Sequence, residues 1–233
     1  MSAIVRAVLV GKVAPLGGRD VPSGIDKRPV DGAVAITRTG LSGDEQGDRK
    51  LHGGPEKAIH HYPFDHYPAW RAEHPALASR LTQPGAFGEN ISTHGLTEAD
   101  VCIGDVYRLG TALVQISQGR QPCWRLNERF DDPGMARRVQ ESGRTGWYYR
   151  VFEPGIVVAG DAMSLVERPA EGWTLERVLH VLYRDTLNAD DLARLAGLSQ
   201  LAGSWRDLAR RRLESRAVEN WSRRLETPED AVS

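Results

Sequence analysis

From residue 3 to residue 167 the chain is written in short runs of β-branched and aromatic residues, each cut off by glycine or proline before it reaches helical length. Runs of that kind pair through tight turns and close on a shared apolar interior, so they belong to barrels or sandwiches. Strands are expected at 3–10, 33–37, 57–61, after the turn at 85–90, at 103–109 paired antiparallel with 112–118 across Gly110 and Thr111, and at 146–152, 155–158 and 162–167. Helical signals here are few. Pro63 can open a helix that Pro68 limits or bends before 70–81, and a second helix is expected at 133–142. At about 168–172 the pattern changes: apolar residues recur at spacings of three and four in 174–183, 188–196 and 204–212, with Asn188 and Ser204 as N-caps. The expected fold class is mainly β with α, a barrel or sandwich over residues 1–168 followed by a small three-helix domain over 173–233.

Bulk properties narrow the function classes. With 233 residues, 40% hydrophobic and 26% charged, the chain can build a real core and has the composition of a soluble protein. No apolar run approaches the roughly 20 residues of a membrane helix. The run at 7–10, between Arg6 and Lys12, is too short for a signal-peptide core, so the expected location is cytoplasmic and no membrane partner is expected. Cys102 and Cys123 are read there as thiols, not as a disulfide. A net charge of -1 gives no overall field that would draw nucleic acid.

Local chemistry concentrates in 118–127 (QGRQPCWRLN), where Cys123 stands between Arg120 and Arg125 directly after a strand. A thiol acts as nucleophile, sulfur carrier or soft metal ligand only as thiolate, and neighbouring cations favour that form. Pro122 stiffens the segment and keeps it out of a helix interior, which suits a rigid reactive loop. From this stretch alone, a reactive thiol and a packed small hydrophobe are both open readings. Two further loops bear on it. Residues 23–30 present Lys27 and Arg28, and 40–62 is a long glycine-rich loop carrying Asp44, Asp48, Arg49, Lys50, His52 and Lys57. Long loops of that composition build sites more often than scaffolding.

Several chemistries drop out. His60, His61 and His66 match no zinc spacing, and adjacent histidines on a strand face opposite sides. There is no GxxxxGK[ST], no GxGxxG after a strand and no nucleophile elbow. The basic tail, with Arg206, Arg210, Arg211, Arg212, Arg216, Arg223 and Arg224, reads as a solvated or internally paired face that could serve a homodimer or a docking partner before it reads as a nucleic-acid surface. A cysteine, a histidine and several cations remain, a set suited to an anionic ligand whose reactive part is soft.

The ordered set SGIDK (23–27), GDEQ (43–46), HGGP (52–55), FGENI (87–91) and QGRQPC (118–123) resembles the MOSC domain family, and the appended helices with WRDLARRRL (205–213) resemble its YiiM-type subgroup. That resemblance implies a MOSC-type barrel and binding of the molybdenum cofactor (molybdopterin), and it brings pyridoxal phosphate into the range of ligands. It further implies reduction of N-hydroxylated nucleobases and related small molecules, a detoxifying activity, with electrons from a separate reductase. On the same resemblance Cys123 is the molybdenum ligand or sulfur carrier, and Cys123, His61 and Lys27 form the catalytic set. Arg28, Arg49, Asn90 and Arg120 are assigned to the pterin and phosphate of the cofactor. The alternative is a non-catalytic carrier of cofactor or sulfur on Cys123.

Overall fold

The computed structural model describes residues 2–17, 19–47 and 53–228. Its centre is a barrel built from β1 (Ser2–Val10), β7 (Ile59–His61), β8 (Ile91–His94), β9 (Val106–Leu109), β10 (Ala112–Gly119), β11 (Trp147–Glu153) and β13 (Ala162–Glu167). The order β13-β9-β10-β11-β7-β8-β1 closes because β1 also pairs with β13, with Ala3 opposite Met163. Closure leaves no open edge among these strands, which is how a sheet of short strands avoids exposing unpaired backbone. All neighbours run antiparallel except β7 and β8, where His61 faces Ile91 in a parallel pairing. Smaller strands decorate the barrel: β2 (Ala14–Leu16) with β3 (Arg19–Ser23), β4 (Arg28–Pro29) on the end of β1, and β5 (Val34–Thr37) between β6 (Gly40–Leu41) and β12 (Gly155–Val157).

Alternation along the strands fills the barrel. Ile59 and His61 on β7, Trp147 and Tyr149 on β11, and Val114 and Ile116 on β10 are buried. The register of β10 against β11 shifts between Ile116 and Gln118, immediately before the Cys123 segment. Such a bulge twists a strand and re-aims the residues beyond it.

Helices cover the rest. α1 (His66–Glu73), a 3-10 stretch at Pro75–Leu81, α2 (Arg125–Phe130) and α3 (Met135–Ser142) surround a second apolar core of Tyr62, Tyr67, Trp70, Phe87, Phe130 and Val139. α4 (Leu175–Tyr183), α5 (Ala189–Gly197) and α6 (Gly203–Ser215) bring Leu175, Leu179 and Trp205 into the barrel's own core cluster. The helical region thus packs as a continuation of the barrel. A short α7 (Ser222–Leu225) comes last, and its Leu225 sinks into the second core.

Three local expectations change. The helix expected at 70–81 is split, because Pro75 ends α1 and restarts the chain as 3-10, while Pro68 sits in the first turn of α1, where a missing N–H costs nothing. Ser204 lies inside α6, whose N-cap is Ala202, whereas Asn188 does cap α5 by accepting from the Asp191 N–H at 3.1 Å. The stiff loop expected over 118–127 turns helical directly after the thiol, since α2 begins at Arg125.

Candidate functional site

The end of β10 lies hard against the helical region. A side chain at Gly119 would put its Cβ 3.0 Å from Trp205 and 3.2 Å from both Leu175 and Leu179. With that close approach allowed, the chain passes through Arg120, whose N–H donates to the Gly146 carbonyl at 3.1 Å, and brings Cys123 into the lining of a cleft. The cleft opens to solvent, and about 600 Å³ of space free of protein atoms lies in and above it, open solvent included. Its walls include Lys27, Asp44, Lys57, His60, Asn90, Arg120, Cys123, Arg125 and Tyr148. Four cations thus face Asp44 and Glu45, and Asp44 is already engaged by Lys27.

Lys27 is almost wholly buried and its ammonium pairs with Asp44. Burial draws its pKa below the ordinary lysine range, against the pull of Asp44 and then Glu89. Asp44 Oδ1 also accepts the Gly11 N–H at 2.8 Å, and its Oδ2 accepts from Asn90 Nδ2 at 2.9 Å. The amide of Asn90 is spent inside the protein: Nδ2 donates to the Leu9 carbonyl at 3.2 Å as well, and Oδ1 accepts the His60 N–H at 3.1 Å. Asn90 therefore orders the cleft wall, with its amide donors committed to protein and not to a pterin as the sequence reading had it. Glu89 beside it is fully buried and accepts from Tyr67 OH at 2.5 Å, Gly85 N–H at 2.7 Å and Phe87 N–H at 3.1 Å. Gly88 completes this turn at φ +73°, where a Cβ would meet Ile25 at 2.6 Å.

Two histidines exchange parts. His61 points into the barrel, where Nδ1 meets Tyr149 OH at 2.9 Å, Nε2 meets Thr93 Oγ1 at 2.8 Å and the ring lies against Trp147 with centroids 4.3 Å apart. Burial pulls its pKa down to about 3. With both nitrogens committed inside the core, His61 is not the proton donor the sequence reading assigned. His60 is the histidine that lines the cleft. Its Nδ1 lies 3.3 Å from the Gly88 carbonyl, its ring centroid is 5.0 Å from that of Tyr148, and its buried Nε2 has no hydrogen-bond partner of good geometry. Burial, then the charges of Arg120 and Lys27, hold the His60 pKa well below the usual histidine range. At neutral pH it is a neutral imidazole, able to accept or donate one hydrogen bond but not to carry a stored proton.

Among the described residues the Arg120 guanidinium makes one hydrogen bond, Nη1 to the Phe87 carbonyl at 2.6 Å, and keeps other N–H donors for an anion. Arg28 does not join it. The Arg28 side chain is 77% exposed, pairs with Asp26 at 3.1 Å and lines a neighbouring cleft with Arg80 and Arg129. Arg49 lies outside the described residues. The sequence reading gave no site role to the lining groups Lys57 and Tyr148, and took Arg125 only as a cation beside the thiol. Tyr148 was within reach of strand alternation, because it pairs with His60 across β11 and β7 and so shares its face.

No group of three or more His, Cys, Asp or Glu side chains among the described residues is arranged to hold a metal ion by itself. What the cleft offers is one thiol, cations and a neutral imidazole. A thiolate is a soft ligand, and guanidinium and ammonium groups suit phosphate, so this donor set fits a metal brought in on an anionic carrier.

Comparison with known proteins bears on the same residues. Residues 48–164 match the MOSC domain family and residues 173–216 match the YiiM-like, 3-alpha helix domain. The protein YiiM of Escherichia coli strain K12 is 43% identical over 205 residues, covering 88% of this chain and 90% of that one. A Gibberella moniliformis protein named reductase is 41% identical over 212 residues, covering 91% of this chain and 37% of its own length. The crystal structure of Escherichia coli YiiM superposes with a TM-score of 0.82 at 36% identity, covering 97% of this chain and all of the other. No helix among the described residues is long and apolar enough to cross a membrane. Matched over most of its length by YiiM, and in its two parts by both families, the chain belongs to the MOSC domain family, in the branch that carries the YiiM-like three-helix domain.

Proposed function

We propose that the Cys123 cleft binds a molybdenum cofactor and that the protein reduces N-hydroxylated compounds, hydroxylaminated nucleobases among them, with electrons from a separate reductase. The observation that carries this reading is that Cys123 lines a cleft together with Lys27, Lys57, Arg120 and Arg125. The relative named reductase supports the redox part, and the remaining 63% of that protein's length leaves room for another module.

In this reading Cys123 Sγ, as thiolate, holds the metal, and Arg120, Lys57 and Arg125 hold the phosphate of the cofactor. When bound, the cofactor would supply a redox-active metal able to pass two electrons. Reduction of an N–OH group to N–H consumes two electrons and two protons and releases water. The chain's own contribution is to bind and orient. Lys27 is held in the wall by Asp44, so its ammonium is a fixed positive charge facing an anionic ligand. His60, kept neutral by burial and by Arg120, is placed to hydrogen-bond a hydroxyl or amine at the cleft wall. Protons for the reaction come from solvent at the open mouth.

The test is the molybdenum and pterin content of wild type beside Cys123→Ser after production in a host that makes the cofactor. Near-stoichiometric metal in wild type and its loss in the variant support the reading. A wild-type preparation lacking both under full cofactor supply overturns it. Given a reductant, the loaded protein should convert a hydroxylamine to its amine, and a loaded protein that never does so limits the function to carrying the cofactor.

A further inference from the structure

The last described segment of the chain closes on the residues that flank Cys123. After α6 the backbone reverses at Arg216, a left-handed residue at φ 52°. The next turn is pinned by Arg212, 1% exposed, whose Nε and Nη2 donate to the Glu219 carboxylate at 2.9 and 2.7 Å while Nη1 donates to the Leu182 carbonyl at 2.8 Å. Glu219 in turn accepts from Trp221 Nε1 at 2.8 Å. From there α7 runs back over the Cys123 segment.

Arg224 makes the decisive contacts, because it bonds to both residues that flank the thiol. Its Nη1 donates to the Pro122 carbonyl, and its own carbonyl accepts the Trp124 N–H at 2.8 Å. Its Nη2 is fixed on Gln140 Oε1 at 2.5 Å, which anchors the guanidinium to α3. The next residue repeats the pattern: the Leu225 carbonyl accepts from Asn127 Nδ2 at 2.8 Å, while the Leu225 side chain is 2% exposed in the second core. Thr227 Oγ1 then donates to Glu128 at 3.0 Å. Residues 221–227 lie beyond the span matched by the three-helix domain, which ends at residue 216.

We propose that residues 221–227 form a strap whose Arg224 is a positioning residue for Cys123, clipping the peptide groups on either side of the thiol so that the sulfur is presented to the cleft in one orientation. The helical region then serves the site directly, through its tail, in addition to packing on the barrel. A backbone held at both neighbours has little freedom to swing its side chain, and removal of the side-chain half of the clip frees the Pro122 peptide while leaving the main-chain half in place. The inference takes Cys123 as the functional thiol, as proposed above, but its consequence is a property of the thiol alone.

The experiment is site-resolved alkylation of the full-length protein by iodoacetamide across pH, with Cys102 read in the same sample by mass spectrometry. At the high-pH plateau every thiol is ionised, so the rate reports access and orientation and not charge. Arg224→Ala should raise the plateau rate at Cys123 by about tenfold and leave Cys102 unchanged. Arg224→Lys, which can still reach one carbonyl, should fall between the two. Arg223→Ala removes the same charge from an exposed position on α7 and should behave as wild type. Equal plateau rates in wild type and Arg224→Ala, or equal rises at Cys102 and Cys123, would overturn the proposal. Should Arg224→Ala fail to fold, Gln140→Ala releases the guanidinium from α3, and a rise of a few-fold at Cys123 alone is then required for the proposal to stand. A protein that shows the strap effect and binds no molybdenum would refute the proposed function only. One that binds molybdenum and shows no strap effect would refute the strap only.

Discussion

His60 and His61 are consecutive residues of one strand, both buried and both held neutral, and they belong to different parts of the molecule. On the interior face His61 sits among Trp147, Tyr149 and Thr93, where burial alone lowers its pKa. On the outer face His60 sits between Tyr148 and the Gly88 carbonyl, where burial is joined by the positive charges of Arg120 and Lys27. The interior histidine is satisfied by its neighbours. The outer one keeps a nitrogen with no partner of good geometry in the wall of the cleft that holds Cys123. Strand geometry separates these fates: a step of one residue reverses the direction of the side chain, and the charges on that side set its chemistry.

The largest expected effect comes from cutting back each ring in turn. His61→Ala removes a fully buried ring and strands the hydroxyls of Tyr149 and Thr93, so it should cost about 3–5 kcal/mol in urea unfolding. His60→Ala loses a long contact to the Gly88 carbonyl and the ring's packing against Tyr148 at a site that opens onto the cleft, and should cost less, about 1–2 kcal/mol, while lowering turnover in the proposed reaction at least tenfold. Equal destabilisation by the two substitutions would break the comparison.

Acid titration sharpens it next. The folded-state pKa of His61, about 3, lies below the unfolded value near 6.5, so the folded state binds fewer protons in between. Stability from this group is full above pH 6.5 and is lost as pH falls towards 3, at about 1.4 kcal/mol per pH unit. His60 adds a second loss of the same sign. A neutral replacement, His61→Gln, should flatten the slope of unfolding free energy between pH 6 and 4 by close to one proton. An unchanged slope would mean that His61 takes up its proton within the folded barrel.

The barrel was legible in the sequence because its information is local: β-prone runs, glycine punctuation and the turn at Gly110-Thr111 place β10, β11 and β13 almost at their observed bounds, while β9 begins three residues later than expected, at Val106. Cys123, Lys27 and Arg120 were legible as cleft residues on the strength of a family resemblance, and the structure does bring them together. Choosing between His60 and His61 needed the register of β7 against β11, a pairing across 88 residues that no local pattern encodes. The strap was hidden for a similar reason. Its α7 has only four residues and no amphipathic period, and its purpose shows only when Arg224 meets Pro122, which precedes it by 102 positions. Arg28 misled because it follows Lys27 directly in sequence, while successive residues of an extended chain turn to opposite sides, and its side chain is exposed where that of Lys27 is buried.

Arg120 and Arg28 give the finest division between the cleft and its surroundings. Arg120→Ala deletes a buried guanidinium from the cleft wall and releases the Phe87 carbonyl. A charge-assisted bond to phosphate is worth about 1.5–3 kcal/mol, so cofactor affinity should fall roughly ten- to a hundredfold. Arg28→Ala removes an arginine whose one ion pair, with Asp26, is solvent-exposed. Exposed pairs of that kind contribute about 0–1 kcal/mol, and the variant should keep wild-type cofactor content and unfold within about 0.5 kcal/mol of wild type. Cofactor content measured on both variants from the same host decides the matter. A loss in Arg28→Ala as large as that in Arg120→Ala would extend the ligand site across the 25–29 segment into the neighbouring cleft with Arg80 and Arg129, and the boundary between cleft lining and outer surface would have to move with it.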